Sequence, residues 1–221
     1  MVRRAVGVRS EEFGDRWRDD TLNTAAAAVD AGLERLVSCV VRPGKHDRPF
    51  HGVSIEWFAD QTALADHDRR AARGVSSSVD PMSIERARVR ARTVFGHDLL
   101  EMWWSELFGE PRFLMFALLE RAPSLTRSEF AQYWWDEHRP LVNELIPPAM
   151  QPPIYVHDYV APGEDFRWDG VGEFYDDSID VVRERTQFVA GRSAILVDEQ
   201  HFLVDDTRLI LLTDATVLVT A

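Results

Sequence analysis

The pattern of apolar and polar positions is clearest in the second half of the chain. Residues 113–119 are unbroken apolar, as in a central strand covered on both faces. Thr126 and Glu129 have the spacing of a capping box, which opens a helix. Phe130, Tyr133, Trp134 and Leu141 then recur at helical spacing. Pro140 interrupts that helix, which is expected to bend or restart there, because an interior proline loses a hydrogen bond and crowds the preceding turn. Pro147, Pro148, Pro152 and Pro153 mark the loop that follows. Residues 154–160 and 171–175 read as strands on either side of a turn region at 163–169. Ser178 is placed to cap a helix running to Ala190, with Gly191 as its stop. Residues 209–213 and 216–219 read as strand. In the first half, Asp60 caps and Gly74 ends the corresponding helix.

The two halves carry one pattern. Glu12, Phe13, Trp17 and Asp19 lie 117 residues before Glu129, Phe130, Trp134 and Asp136. At the same offset, with no gap, residues 36–42 fall on 153–159, Glu56 on Glu173, Trp57 on Phe174, Phe58 on Tyr175, and Gly74 on Gly191. One register held over that span reads as a duplication. Each half has the order strand, helix, strand, strand, helix, strand, the ferredoxin-like βαββαβ motif. Such a unit covers one sheet face with its helices and leaves the other in need of a partner. The predicted fold is therefore α+β. Two tandem ferredoxin-like units, residues 1–109 and 110–221, are expected to pack sheet to sheet as an intrachain dimeric α+β barrel. The N-terminal unit is the divergent copy. Its first strand should lie just before Arg4, where almost no chain remains, so either residues 99–107 replace it or it is missing.

Composition narrows the function classes. The chain has 221 residues, enough for a sizeable core, and 37 acidic against 25 basic residues give a net charge of −12. Neither a nucleic acid nor a membrane is expected as partner, since both need a positive footprint. Lys45 is the single lysine, in the polar stretch 42–49, a poor place for a Schiff base or a phosphate-binding loop. Cys39 is alone, so an intrachain disulfide is excluded, and its valine neighbours mark it as a core residue. The apolar run at 113–119 is too short to span a bilayer, and the first residues have no stretch of signal-peptide length, so the expected location is cytoplasmic. Phosphate-loop, nucleophile-elbow and nucleotide fingerprints are missing. His46 and His51 do not have zinc spacing, and Asp176–Asp177 and Asp205–Asp206 read as turn and cap residues, so no metal is expected.

Three spaced motifs resemble one family. Phe130-x-x-x-Trp134 followed by Asp136-Glu137-His138-x-Pro140-Leu141-Val142 looks like the helix signature of EthD-domain proteins. Residues 169–178, Asp-Gly-Val-Gly-Glu-Phe-Tyr-Asp-Asp-Ser, and Val197-Asp198-Glu199-x-x-Phe202 are similar to the same family. The resemblance covers residues 112–221; the first half shares it only faintly and has no histidine in its helix motif. It implies a dimeric α+β-barrel fold and a link to degradation or tailoring of small organic molecules. Relatives by fold include cofactor-independent dehydratases, isomerases and cyclases, and also haem-binding and accessory proteins.

Alternate residues of a strand share a face. With Ile154 and Val156 assigned to the helix-covered face, Tyr155, His157 and Tyr159 point into the barrel. Tyr155 and His157 are then about 6.6 Å apart along the strand, close enough to touch one small substrate. Their counterparts in the first half are Ser38 and Val40, and that of His138 is Thr21, so the titratable groups collect in the second half. The expected catalytic set is His138, His157, Tyr155 and Glu173. One histidine is the base, the other or Tyr155 donates to the oxygen that gains charge, and Glu173 orients an imidazole or holds a substrate hydroxyl. Tyr159, Tyr175, Phe58, Ser38, Glu56, His97 and Trp135 are expected to bind substrate. For both Glu173 and Glu56 a structural pairing with an arginine weighs equally, and His97 is assigned to a barrel strand. His201 reads as a residue of a surface turn. The leading function is a cofactor-independent lyase or isomerase acting on a small apolar hydroxy- or oxo-compound. The alternatives are a binding or accessory protein, and a haem protein with His138 or His157 as axial ligand. A duplicated chain needs no homodimer to close its barrel, and further homodimerisation is left open.

Overall fold

The structure, a computed structural model, describes residues 1–5, 8–29, 32–43, 49–71, 79–80, 84–106, 111–191, 193–204 and 208–220. Lys45, His46, Gly74, Asp205 and Asp206 lie outside them. The chain forms two compact units. One holds Met1–Arg86, Glu101–Arg112 and Thr213–Ala221; the other holds Ala87–Leu100 and Phe113–Leu212.

In the first unit α1 (Ser10–Val29) packs on β1 (Leu33–Val41). That strand pairs antiparallel with β2 (Gly52–Phe58) on one side and with residues 213–220 of β7 (Leu209–Thr220) on the other. β1 is therefore central, and Val37 and Cys39 in its middle are 0% exposed. Phe13 and Trp17 of α1 form a small core with Val2, Val8 and Val79. α2 (Gln61–Ala71) is capped as expected, Asp60 Oδ1 accepting from the Ala63 N–H at 2.8 Å. Among the described residues ahead of α1 there are single bridges, Val2 to Gly52 and Arg4 to Val79. Residues 99–106 do not supply the expected strand; they belong to the helix α3 (His97–Glu106). The reason is spacing. Leu100, Trp103 and Trp104 are buried at helical intervals, and Asp98 in the first turn suits the positive end of the helix dipole.

The second unit has the strand order β4 (Pro111–Leu119), β6 (Gly170–Asp176), β5 (Ile154–Val160), β3 (Val89–Phe95), all antiparallel, with β3 at the edge. α4 (Arg127–Tyr133), α5 (Arg139–Leu145), α6 (Ile179–Ala190) and α7 (Ser193–Phe202) complete it. The caps read from sequence are present. Thr126 and Glu129 form a reciprocal capping box. Ser178 Oγ accepts from the Val181 N–H, and Gly191 ends α6. Buried Arg185 of α6 clamps Asp176 of β6 with two hydrogen bonds of 2.7 Å, which ties helix to sheet.

Pro140 does not break its helix. Residues Trp134–His138 form a π turn between α4 and α5, and the Arg139 N–H bonds the Trp134 carbonyl five residues back. Continuing that register would require an N–H from residue 140, which proline lacks. The Arg139 guanidinium supplies the missing donor, Nε reaching the Trp135 carbonyl at 3.1 Å. Among the described residues no helix is long and apolar enough to cross a membrane.

Candidate functional site

Cross-strand pairing decides which side chains of the second unit share a face. His157 lies opposite Gly172 and Tyr159 opposite Gly170, while Val156 lies opposite Glu173. The His157 ring stacks on Trp134 of the π turn, with centroids 3.7 Å apart, and Tyr159 meets the same indole edge-on at 5.4 Å. Tyr155, His157 and Tyr159 therefore face the helices, and Val156, Asp158 and Glu173 face the other way. This reverses the parity expected from the apolar side chains of Ile154 and Val156. All seven residues of β5 are buried, so both faces are covered and polarity along the strand carries no signal of which is which.

The strand and helix fit closely because β6 offers glycine under the indole. A Cβ on Gly170 would come 2.7 Å from Trp134 Cζ3, closer than packing allows. Asp169, one residue earlier, fixes the start of α4 by accepting from Arg127 Nε at 2.8 Å and from the Arg121 N–H at 3.0 Å. The motif Asp169-Gly170-x-Gly172 thus seats the helix that carries Trp134 and His138.

Two histidines lie in the layer between helices and sheet. His138 Nδ1 is 2.6 Å from Asp198 Oδ2 of α7, and Tyr133 Oη donates to Asp198 Oδ1 at 2.7 Å. A carboxylate only accepts, so the Nδ1 of His138 that faces it carries a proton. Burial and the charge of Asp198 push the Tyr133 hydroxyl up to about 12, so it stays a donor. His157 is 1% exposed; its Nδ1 lies 3.0 Å from Tyr159 Oη, and its Nε2 has no hydrogen-bond partner among the described residues. Burial holds His157 well below the ordinary histidine value, helped by the positive charges of His138, Arg139 and Arg92, so it is neutral. Tyr155 stacks on Phe174 at 4.2 Å and meets His157 edge-on at 4.7 Å. Burial above all keeps both Tyr155 and Tyr159 protonated. Trp135 meets His157 edge-on at 6.1 Å and has Arg92 and Arg139 over its ring.

On the opposite face Glu173 is 1% exposed and accepts from Tyr175 Oη at 2.6 Å. It also pairs with buried Asp158. Burial raises both carboxyls, and the neighbouring charge of Glu173 raises Asp158 further, so the proton of the pair sits on Asp158. Glu173 and Tyr175 are thus separated from the histidines by the sheet itself. The carboxylate that holds an imidazole is Asp198, and the partner of Glu173 is a carboxyl and a phenol rather than an arginine.

The remaining sequence candidates are scattered. Ser38 is buried with no partner for its hydroxyl among the described residues. Glu56 pairs with His67 Nε2 at 3.0 Å; burial would raise its carboxyl, but His67 and Arg86 outweigh that and lower it. Phe58 packs beside His67 at 5.0 Å. His97 is the exposed first residue of α3 rather than part of a strand, because Gly96 with φ 71° ends β3 before it. His201 is exposed on α7, again in a helix and not a turn. Asp198 and Asp158 escaped the sequence reading as site residues. The first was legible only in the motif Val197-Asp198-Glu199, and the second had no signal. Among the described residues no group of three or more histidine, cysteine or acidic side chains could hold a metal ion.

A strand-and-helix scaffold with a π turn and an Asp-held histidine defines an α+β protein whose polar groups meet between helix and sheet. Residues 122–206 match the EthD domain family. That segment includes His138, His157 and Asp198, and such a domain is consistent with a protein that binds or processes a small molecule. No curated protein matches the chain.

Proposed function

We propose that the chain is a cofactor-independent lyase or isomerase, of the dehydratase, isomerase or cyclase type, acting on a small apolar hydroxy- or oxo-compound inside the cell. The observation that carries this reading is the 2.6 Å contact of Asp198 with His138 beside a neutral histidine whose Nε2 is buried and unpartnered. His138 Nε2 is the base. It takes the proton from a carbon next to a carbonyl, and the C–H electron pair moves onto the carbonyl oxygen. Tyr159, which keeps its proton, donates to His157 Nδ1, so that His157 Nε2–H donates to that oxygen. If a β-hydroxyl leaves and takes the proton back from His138, water and an alkene form. If the proton returns at another carbon, the product is an isomer; if the carbanion attacks a second carbonyl, a C–C bond closes the ring and the alkoxide formed takes the proton back from His138. Positioned acid–base groups supply roughly 10²–10⁴ in rate.

The test needs no prior substrate. Hydrogen–deuterium exchange next to the carbonyl of small aryl ketones is followed by NMR in D₂O. We expect exchange by the full chain, and a fall of about 10²–10⁴ in His138→Ala. Asp198→Asn should fall less, since Asn can still accept from Nδ1. Exchange unchanged in His138→Ala would sink the acid–base role.

The chain is also proposed to be a tandem of ferredoxin-like units with a divergent N-terminal copy. Support comes from the two phenylalanine–tryptophan helices, each seated over a strand glycine, Gly52 under Trp17 and Gly170 under Trp134.

A further inference from the structure

Most arginines of the second unit serve a carboxylate. Arg121, Arg127, Arg185 and Arg208 each lie 3.3 Å or less from one. Arg92 and Arg139 do not: among the described residues neither has an acidic partner within ion-pair distance. Both instead lie over the ring of Trp135, with guanidinium carbons 3.6 and 4.3 Å from its centroid. Arg92 stands opposite His157 in the β3–β5 pairing, on the same face, and Arg90 stands opposite Tyr159. In a chain with 37 acidic residues, two guanidiniums that stack on one indole and have no carboxylate among the described residues need a reason. Stacking on an indole fixes the plane of a guanidinium, and although Arg139 spends its Nε on the Trp135 carbonyl, the terminal N–H groups are left pre-organised for a planar anion. Beside that edge lies the buried His157, its Nε2 without a partner.

We propose that the molecule bound at the His157 site carries a carboxylate, held by Arg92 and Arg139 against Trp135, with its apolar part lying towards Tyr155 and His157. Two guanidinium forks match a planar carboxylate better than they match a neutral carbonyl group. The two charges also favour the enolate-like state that a base at this site would create. This deepens the acid–base reading and rests on it for the location of chemistry, although binding itself can be measured without turnover.

The experiment is calorimetric titration of the full chain with benzoate, benzamide and phenylphosphonate, three probes of one ring and different head groups. We expect benzoate to bind at least about tenfold tighter than benzamide, with a preference that falls as salt rises. Arg92 is exposed on an edge strand, so Arg92→Gln should fold; it should lose most of the preference, and Arg92→Glu should reverse it. Equal binding of benzoate and benzamide overturns the proposal, as does a preference unchanged in both variants. Tighter binding of phenylphosphonate than of benzoate overturns the carboxylate assignment. His138→Ala separates the two readings. Lost exchange activity without any benzoate preference leaves the acid–base role standing and removes the anion site. Benzoate preference with unchanged exchange does the opposite.

Discussion

In the first unit Trp17 lies over Gly52, where a Cβ would come 2.8 Å from the indole Nε1; in the second, Trp134 lies over Gly170 at 2.7 Å. A phenylalanine one turn earlier packs on each indole, at 6.2 Å for Phe13 and 5.5 Å for Phe130. The seats are alike and their contents are not. Where His157 stacks on Trp134, the residue 117 positions earlier is Val40; for Tyr155 it is Ser38, and for His138 it is Thr21. Beside Trp134 stands the Tyr155 hydroxyl, whose pKa burial raises and the indole N–H lowers by a smaller amount. The Trp17 N–H and the Ser38 hydroxyl are both buried without a partner among the described residues. Thr21 bonds the Trp17 carbonyl one turn back on its own helix, whereas His138 reaches across to α7. Packing is thus set by the ring over the glycine, and chemistry by side chains long enough to reach a partner beyond their own element.

The comparison can be broken at its foundation. Trp17→Ala and Trp134→Ala should each cost about 3–5 kcal/mol in urea denaturation, because both remove a large buried ring from a close-packed seat. A neutral Trp17→Ala would show that the first unit does not use the seat at all. The polar contents should then differ in sign. Tyr155→Phe takes away the hydroxyl on which the Trp134 N–H acts, and is expected to destabilise by about 1–3 kcal/mol. Ser38→Ala removes a hydroxyl that has no partner to lose, and is expected to be neutral or to stabilise by about 1 kcal/mol. Equal losses in the two variants would contradict the contrast between the polar groups of the two seats.

The smallest effect at neutral pH is the slope of stability with pH. The folded His157 binds a proton less readily than the unfolded one, whose value is about 6.5. Stability from this group is therefore complete above that value and is lost as pH falls through it. Asp158 has the opposite sign. Its folded carboxyl holds its proton more tightly than the unfolded one at about 3.9, so its contribution is lost as pH climbs above that value. His157→Val, which copies Val40, should flatten the acid side, and Asp158→Asn the alkaline side. Denaturation midpoints that keep both slopes in the double variant would refute these assignments.

What could be read from the sequence was local. The capping box at Thr126, the caps at Ser178 and Asp60 and the stop at Gly191 are all set within a few residues, and all are present. The helical spacing of Trp134 and His138 was legible too, although the π turn that absorbs Pro140 was not, since it depends on a guanidinium answering a carbonyl. The facing of β5 could not be read, because a strand buried on both sides shows no alternation. Nor could the bond between His138 and Asp198, which spans 60 residues and is created only when α7 docks. Residues 99–106 form helix rather than the replacement strand, because Leu100, Trp103 and Trp104 recur at helical spacing.

Cys39 gives the first unit a built-in clock. It is the only cysteine, fully buried in the strand between β2 and β7. A thiol reagent can reach it only when β1 comes away from a neighbour. The rate of labelling under native conditions therefore counts openings of that sheet, with no probe introduced and no signal from the unit that holds His138 and His157.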